Sequence, residues 1–569
     1  MDKKTVYDEF VGLVKMPNAG PNYHSRLSDE FVHPLRESIE EALRLFDGGE
    51  NIQNALKITS RVTEYQNKDE HSPYYGLWPY YAEEPIEKMM PPDFNWADFI
   101  GKQLLVIYID HFKYLSDSLK EKIKQAAIAA CKCIIKRNER VSYTNVAMMD
   151  SFMCGVCGEL FSIEEFFEYG ANKLKRLLEF TRSDGNISEY NSPVYTLVAL
   201  GDANYLRYYI KNAEMKKNAE TFYGYLWKSL AEHYHVQTGE LSGPQSRNYS
   251  TFLTDEQKNI ILCAAGIKAF DENVPQRDRI YVPDEQKSNF TAGKEKYEIV
   301  RISNGFCYPC FANSKLEMLY MTNNFCMGSY QHEEMWNQTR PFLGFFGDEL
   351  GKYAFRISVL HDEYDFSDAE IHTGQYLGRA LGVINFAADR GDTHICLDFI
   401  KNKTVKAHDI RVRFSILGDI ARLSVKQEHN CLRVSSGFAN IQFEYVEAVF
   451  DGKNADFELS KENEHLFFDC VLYSGDEKDI VFDFGSEKYC VYAFDNSELG
   501  NVECTAENGR VNARYKNISV STQADSVPFT MLSVGDIITI DGKNVEDLAE
   551  NKLDTINSGG NKTAYENNR

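Results

Sequence analysis

The stretch DENVPQRDRIYVPDEQKSNF, residues 271–290, separates two parts of the chain that have different hydrophobic periods. Upstream, SLKEKIKQAAIAACKCIIKRN (residues 118–138) places apolar side chains three or four positions apart, which predicts an amphipathic helix. Downstream, runs such as YEIVRI (297–302) and DIRVRFSIL (409–417) are short and rich in β-branched and aromatic residues, which predicts strands. The prolines and charges of residues 271–290 mark the junction.

The two periods predict the fold class. We expect an α+β multidomain chain in which residues 1–288 form an N-terminal (α/α) toroid of helical hairpins and residues 289–545 form a C-terminal antiparallel β-sandwich. The polar residues 546–569 are expected to be a disordered tail. A chain of 569 residues is also too long for a single hydrophobic core.

The charge of the chain limits its partners. It has 62 Lys and Arg against 85 Asp and Glu, a formal net charge of −23, which disfavours nucleic acid as a partner. No apolar stretch suits a membrane span, so no membrane partner is expected. The N-terminus does not resemble a secretory signal, and the 13 cysteines are an odd number, which together favour a cytoplasmic location. The oligomeric state is not indicated.

Two CxxC pairs occur among these cysteines, Cys154/Cys157 and Cys307/Cys310. They lie about 150 residues apart, and the first is inside an apolar run, so we expect no metal or redox role for them.

The loop HSPYYGLWPYYAEEP (residues 71–85) has an unusual concentration of aromatic and acidic side chains. It is either a packed loop over helix ends or a platform on which sugar rings stack while carboxylates bind hydroxyl groups. On the second interpretation the substrate-binding residues are Trp78, Tyr80, Tyr81 and Glu83.

Two further segments place polar groups where helices begin. Asn145, in VSYTNVAMMDSF (residues 141–152), either caps a helix or takes part in a site. The segment SDGNISEYNSPVY (residues 183–195) contains a turn, and its proline suits the first turn of the next helix. Glu189, Tyr190 and Tyr195 are therefore presented at a helix start.

Two more segments carry candidate binding residues. The loop GELSGPQSRNYS (residues 239–250) contains Arg247 and Tyr249. In the strand-rich part, GSYQHEEMWNQTRPF (residues 328–342) combines an imidazole, an indole and a guanidinium, which favours a binding role over a bare edge strand; these residues are His332, Trp336 and Arg340.

The order of the two domains and these motifs resembles the polysaccharide lyases of the heparinase II/III-like and oligoalginate-lyase-like type. Asn145 looks like an Asn that relatives carry on a toroid helix, and His332 looks like a His of their β domain. Residues 183–195 are similar to a family motif, DG…E-x-S-P-x-Y, with one extra residue between Glu and Ser, and Tyr195 stands at its catalytic Tyr. Val146 departs from relatives that have a His directly after the Asn.

The resemblance implies β-elimination on an oligosaccharide or polysaccharide that contains uronic acid. Asn145, with Arg247 or Arg340, would neutralise the sugar carboxylate and so stabilise the enolate-like intermediate. Tyr195 would act as base and acid, for which a phenol of pKa about 10 needs cationic neighbours. His332 would be a second proton carrier or would position the carboxylate. The scheme requires no cofactor.

Some relatives hold a structural zinc ion in the β domain through His and Asp. The segment HDEYDFSDAEIH (residues 361–372) has such side chains, but acids alternating beside strands are more often a solvated turn, so a structural zinc or calcium ion is not predicted.

Two other functions remain open from the sequence. A glycoside hydrolase on the same scaffold would need two carboxyl groups about 5–5.5 Å or about 6.5–9.5 Å apart. The candidates for that pair are Glu83, Glu84, Asp98, Asp150 and Glu189. A non-catalytic carbohydrate-binding protein would use the aromatic platform alone. The particular uronic acid, its linkage and endo or exo action are not indicated.

Overall fold

A computed structural model describes residues 5–22, 24–184, 186–303, 315–348, 351–389 and 403–549. Cys307, Cys310 and nearly all of the expected tail lie outside these residues. The chain divides into two compact units. The helical unit comprises residues 1–180, 197–226 and 266–281, and the strand-rich unit comprises residues 181–196, 227–265 and 282–569.

The helices lie in the first half of the chain, as the sequence predicts. They are α1 (Leu35–Gly48), α2 (Ile52–Tyr65), α3 (Trp96–Asp110), α4 (Asp117–Arg137), α5 (Thr144–Phe161), α6 (Glu164–Asp184), α7 (Tyr195–Tyr209), α8 (Ala213–His233) and α9 (Asp255–Ala264). The helix predicted over residues 118–138 is confirmed as α4, which begins after the N-cap Ser116. None of the helices in the described residues is both long and apolar enough to cross a membrane.

Helical hairpins build the helical unit. Helix α1 packs on α2 and α3 packs on α4, while α1, α3 and α5 also contact one another in sequence. The N-termini of α1 and α3 lie together, since the Leu35 amide donates to the Tyr80 carbonyl over 3.1 Å and the Tyr80 ring stacks on Trp96. Their C-termini are joined by Arg277, which binds both Asp47 and Asp110. The inner helices α1 and α3 are therefore parallel, as in a toroid of hairpins.

The strands lie mainly after residue 290. They are β1 (Val6–Asp8), β2 (Leu13–Pro17), β3 (Phe31–Val32), β4 (Tyr234–His235), β5 (Glu240–Leu241), β6 (Tyr297–Ser303), β7 (Lys315–Met321), β8 (Phe325–Tyr330), β9 (His332–Glu334), β10 (Phe342–Asp348), β11 (Gly351–His361), β12 (Tyr364–Asp365), β13 (Ala369–Tyr376), β14 (Arg379–Phe386), β15 (Thr404–Gly418), β16 (Ser424–Glu428), β17 (Cys431–Ser435), β18 (Asn440–Phe450), β19 (Lys453–Asn454), β20 (Asp456–Glu462), β21 (His465–Val481), β22 (Lys488–Asp495), β23 (Val502–Glu507), β24 (Arg510–Tyr515), β25 (Ile518–Gln523), β26 (Ile537–Ile540) and β27 (Lys543–Asn544).

Two large antiparallel sheets form the predicted sandwich. One has the strand order β20-β21-β15-β11-β10-β8-β7-β6, and the other has the order β16-β17-β18-β22-β14-β13-β9. Their facing side chains share one buried core. Phe414 of β15 stacks on Phe443 of β18 with the ring centroids 4.0 Å apart, which joins the two layers. The predicted order, helical hairpins followed by antiparallel sheets, is confirmed.

The structure adds a third layer that the sequence does not indicate. Strands β23 to β27 form a separate antiparallel sheet in sequence order. Its inward side chains, such as Val511 and Val520, share a second core with Val383 and Val491 on β14 and β22. Every second side chain of β24 and β25 is buried, but the sheet on which these strands pack depends on long-range contacts.

Candidate active site

The hydroxyl group of Tyr195 is the centre of a hydrogen-bonded network in the strand-rich unit. Arg247 Nη2 donates to it over 3.0 Å, and it is also hydrogen-bonded to the hydroxyl group of Tyr249. The guanidinium carbon of Arg247 lies 4.1 Å from the centroid of the Tyr195 ring. Arg247 is only 5% exposed, and its other nitrogens donate to Glu189 over 2.9 Å and to Gln338 over 3.1 Å. Phenol, guanidinium and carboxylate are thus directly connected.

Short polar contacts join the two loops that carry this network. Asn191 adopts a left-handed conformation, φ 44°, and its side-chain amide donates to the Pro244 carbonyl over 2.7 Å. Ser192 Oγ accepts from the Tyr195 amide over 3.1 Å, where α7 begins, and donates to the Arg247 carbonyl over 2.6 Å. One serine therefore fixes the backbone of both residues.

A third loop completes the frame. The Asn248 amide donates to the Gln338 carbonyl over 2.7 Å, and the Arg340 amide donates to the Gln245 carbonyl over 2.8 Å. The Trp336 ring centroid lies 5.9 Å from the Arg247 guanidinium carbon. Three segments that the sequence singles out, residues 183–195, 239–250 and 328–342, therefore meet in one place.

The charges suit proton transfer by Tyr195. Glu189 is buried and balances the charge of Arg247, so the guanidinium is held in place without leaving the network strongly cationic. A guanidinium that donates to a phenol oxygen favours the ionised form of that phenol. Tyr249 is 61% exposed, so the network reaches the surface of the strand-rich unit.

Tyr190 lies next to this network but points into the core. Its hydroxyl group is hydrogen-bonded to His233 Nε2, which also lies 2.8 Å from Glu317 Oε1. All three side chains are buried, and burial lowers the pKa of His233 to about 3 and raises the pKa of Glu317 well above its usual value. Tyr190 is predicted to bind substrate, but its side chain is enclosed and instead anchors the loop.

Arg340 holds its own loop. Its Nη1 donates to the carbonyls of Asn337 over 2.8 Å and of Thr339 over 2.7 Å. Burial, with the nearby charge of Arg356, lowers the pKa of Arg340 to about 9. Substrate contact by Arg340 stays a prediction.

His332 faces a second histidine and an acid in the strand-rich unit. Its Nδ1 lies 3.1 Å from Nδ1 of His372 and 3.5 Å from Oδ2 of Asp536, which is 2.6 Å from Nδ1 of His372. Burial alone would raise the pKa of Asp536, but the two imidazoles outweigh it, so that the pKa is lowered. The pKa of His372 is raised because Asp536 outweighs its burial.

These three side chains could hold a metal ion, since their ligand atoms all lie within 4.8 Å of one another. Two imidazoles and one carboxylate are donors that zinc accepts. Neither oxygen of Asp536 makes a well-aligned hydrogen bond among the described residues, which fits such a role. The sequence points to His372 but not to Asp536, which is 164 positions further on, and the proton-carrying role of His332 stays a prediction.

The aromatic loop of the helical unit is partly a packed loop. Trp78 is fully buried, and its Nε1 donates to the Val62 carbonyl over 2.8 Å. The prediction that Trp78 contacts substrate is therefore wrong. Tyr80 stacks on Trp96 at 4.0 Å, and its hydroxyl group donates to Asp93 over 2.8 Å. The Tyr80 and Trp96 rings keep partial exposure, so they are the part of the platform that a sugar could reach.

Other predicted residues of the helical unit have structural partners. Glu83 Oε2 accepts from the His33 amide over 3.1 Å and its other oxygen contacts the His33 ring. Tyr81 is half-buried, and this burial raises its pKa. Asn145 is the second residue of α5 and is buried. Its role in catalysis stays a prediction.

The carboxylates considered for a hydrolase are engaged in ion pairs or buried. Asp98 and Asp150 are fully buried and both contact Nη2 of Arg137, at 3.0 Å for Asp98. Lys173 lies 3.5 Å from Asp150. Because neither acid is open to solvent, this pair serves the core of the helical unit. Glu189 already accepts a hydrogen bond from the guanidinium group of Arg247.

The helical unit also contains a groove of about 870 Å³ between the C-terminal half of α1 and residues 271–278. Most of the charged side chains that line it are acidic, including Glu40, Glu50, Asp271 and Glu272. An acidic sugar would be repelled there.

Comparison with known proteins adds the following. Residues 18–288 match the model of a domain of unknown function, DUF8769. No curated protein matches the chain. Among solved structures, heparinase III is similar at 10% identity and a TM-score of 0.45, covering 89% of this chain and 86% of that one. Heparan sulfate lyase HepC from Pedobacter heparinus is similar at 11% identity and a TM-score of 0.35, covering 89% and 82%.

Proposed function

We propose that the chain is a carbohydrate lyase that cleaves an acidic oligosaccharide by β-elimination, with Tyr195 as the residue that transfers the proton. The observation that supports this is the contact of the Tyr195 hydroxyl group with Arg247 Nη2, at 3.0 Å. Glu189 holds the same guanidinium from its other side at 2.9 Å. A phenol held in this way has the cationic neighbour that a tyrosine base requires.

In the proposed reaction the Tyr195 phenolate removes the proton from C5 of a uronic acid. The electron pair of the C5–H bond forms the C4–C5 double bond while the bond from C4 to the leaving oxygen breaks. The phenol of Tyr195 then returns its proton to that oxygen. Arg247 stabilises the phenolate before the transfer, and Glu189 keeps the guanidinium aligned.

Asn145 and His332 are proposed on the family resemblance, as the group that neutralises the sugar carboxylate and as a second proton carrier. The cluster of His332, His372 and Asp536 would hold a structural metal ion, which would order the strand ends that carry it. A ring nitrogen that binds the ion cannot carry a proton, so the ligand role and the proton-carrier role of His332 are alternatives, and the reaction above transfers the proton through Tyr195 alone.

A cytoplasmic location is also proposed, from the 13 cysteines, an odd number that suits a reducing compartment. It favours short oligosaccharides over long polymers as substrates, because polymers do not enter cells.

The test is the appearance of ultraviolet absorbance when a panel of uronate-containing oligosaccharides is added. Elimination creates a 4,5-unsaturated uronic acid that absorbs, and hydrolysis does not. Tyr195→Phe should abolish turnover and leave substrate binding, because only the proton-carrying oxygen is lost. Tyr208→Phe is the matched control, since this tyrosine lies on the same helix and is 50% exposed. Full turnover by Tyr195→Phe would refute the assignment.

A further inference from the structure

A cavity of about 240 Å³ lies inside the helical unit. Its walls come from α1, α3, α7 and the segment around Arg277, and all the lining residues belong to that unit. The Asn204 side chain of α7 donates to the Arg277 carbonyl over 2.6 Å, which fixes that segment against the helix. The volume lies just below the usual range of small-molecule pockets, about 300–1,000 Å³, so the cavity suits one compact ligand.

Gly201 gives independent evidence that this space is open. It lies within α7 and lines the cavity, and a Cβ atom added at this residue would meet no other heavy atom within 4 Å. Glycine is a poor residue for a helix interior, so the helix itself gains nothing from it. A larger side chain at this position would enter the cavity.

The charges of the cavity wall balance one another. Six charged side chains line it and form three ion pairs, which are Arg36 with Glu40 at 3.0 Å, Lys102 with Asp202 at 2.6 Å and Arg277 with Asp278 at 3.8 Å. A charged ligand would break this balance, whereas a neutral ligand would keep it. The acidic groove described above adjoins the cavity, because Glu40, Gln103 and Tyr205 line both, and it disfavours the approach of an anion.

Three buried polar atoms on the lining residues have no hydrogen-bond partner in the part of the chain that the structure describes. They are the acceptors Asp202 Oδ2 and Gln103 Oε1 and the donor Arg277 Nε. Asp202 is 1% exposed, and burial raises its pKa because it outweighs the ion pair with Lys102. Unpaired buried atoms are unfavourable, so the cavity favours a ligand that can both donate and accept hydrogen bonds, as a hydroxyl group does.

We propose that this cavity binds one neutral, hydroxyl-rich molecule of the size of a monosaccharide. Its hydroxyl groups can pair with acceptors and donors of the wall alike. The rings of Phe99 and Tyr205 line the same cavity and offer apolar surface to the C–H groups of a sugar ring. The lack of net charge distinguishes this ligand from the uronic acid of the proposed reaction, and the site does not depend on that reaction.

Isothermal titration calorimetry of the full chain tests the proposal. The neutral probes are glucose, galactose, mannose, N-acetylglucosamine and myo-inositol. Glucosamine is the cationic probe, glucuronate is the anionic probe, and cyclohexanol is a ring with a single hydroxyl group. At least one neutral probe should bind saturably near one equivalent and raise the melting temperature of the helical unit by about 5 °C at 100 times Kd, and cyclohexanol should not bind. Absence of binding by every neutral probe, or tighter binding of glucosamine or glucuronate, overturns the proposal.

Gly201→Leu is the substitution that fills the cavity. Gly224→Leu is the matched control, since Gly224 lies within α8, also has open space around an added Cβ atom and is not a lining residue. Without sugar, both variants should have a raised melting temperature, because leucine is the better helix former. Gly201→Leu should lose sugar binding and Gly224→Leu should keep it. Equal affinity of Gly201→Leu and the wild type overturns the proposal.

Gln103→Leu tests the same site without filling it. Because Gln103 Oε1 has no hydrogen-bond partner among the described residues, its loss should not lower the melting temperature. The affinity for the neutral sugar should fall about tenfold, since one hydrogen bond to the ligand is lost. An unchanged affinity in this variant contradicts the assignment of the ligand to this cavity, even if Gly201→Leu does not fold. Turnover is not measured, so failure of the lyase proposal does not affect the result.

Discussion

Replacing Glu189 should weaken both the stability of the strand-rich unit and the proposed proton transfer. Glu189 is 1% exposed and accepts from Arg247, which is 5% exposed. Glu189→Ala leaves the guanidinium buried without its carboxylate, and breaking a buried ion pair from one side costs about 3–5 kcal/mol. Glu189→Gln keeps a hydrogen-bond acceptor and loses the charge. The expected loss of stability is therefore about half that of Glu189→Ala, or about 1.5–3 kcal/mol, which is the usual contribution of one hydrogen bond to a charged group.

Differential scanning calorimetry measures this effect, because a chain with two units need not unfold in one step. The transition of the strand-rich unit should fall by about 6–10 °C in Glu189→Ala, at about 2 °C for each kcal/mol in a unit of this size. Turnover should fall with it, since Arg247 would lose its alignment on Tyr195. Glu285→Gln, an exposed acid of the same unit, is the matched control and should change neither quantity.

A double-mutant cycle with Arg247→Met decides whether the pair is the cause. If the two side chains act together, the double variant should be less destabilised than the sum of the single variants, by a coupling energy of about 1–3 kcal/mol. A coupling energy near zero, or a Glu189→Ala protein as stable as the wild type, would refute the reasoning.

Three other predictions concern other parts of the chain. Arg137→Met leaves Asp98 and Asp150 buried without their shared cation and should cost about 3–5 kcal/mol in chemical denaturation of the helical unit; a loss below about 1 kcal/mol contradicts this. Zinc added after chelation should raise the melting temperature and bind near one equivalent by elemental analysis, and His372→Ala should remove both effects; equal binding by the variant excludes the cluster. Burial acts to raise the pKa of Asp47, but its hydrogen-bonded cationic partners outweigh this, so the pKa is lowered. The stabilisation by ionised Asp47 is therefore complete above the pKa that this group has in the unfolded chain, about 4, and it is lost as the pH falls through the lower pKa in the folded protein. Asp47→Asn should reduce the fall of the melting temperature at acid pH, measured in a pH series.

The sequence alone determines the structural features that depend on residues close together in the chain. Apolar side chains three or four residues apart predict α4 over residues 118–138, and the structure has it at Asp117–Arg137. The change of period near residue 290 likewise predicts the change from helices to antiparallel strands. Such patterns are readable because a helix or a strand exposes one face through local geometry, whatever packs against that face.

Which candidate residues can act was decided by tertiary structure. Trp78 and Tyr190 have the chemistry of sugar-binding residues, but both are enclosed by contacts with residues distant in sequence. The aromatic composition is the same for a core residue and a platform residue, so composition could not separate them.

The network around Tyr195 and the cluster around His332 show the same limit. The sequence presents Glu189, Tyr195 and Arg247 on separate segments, and only the folded chain brings the guanidinium between the carboxylate and the phenol. Asp536, which directly precedes β26, joins His332 from 204 positions away, and the sheet that begins there has no local signal for its packing partner. Local periodicity determines the elements of this protein, whereas the pairing of charges depends on long-range register and burial, which no single segment encodes.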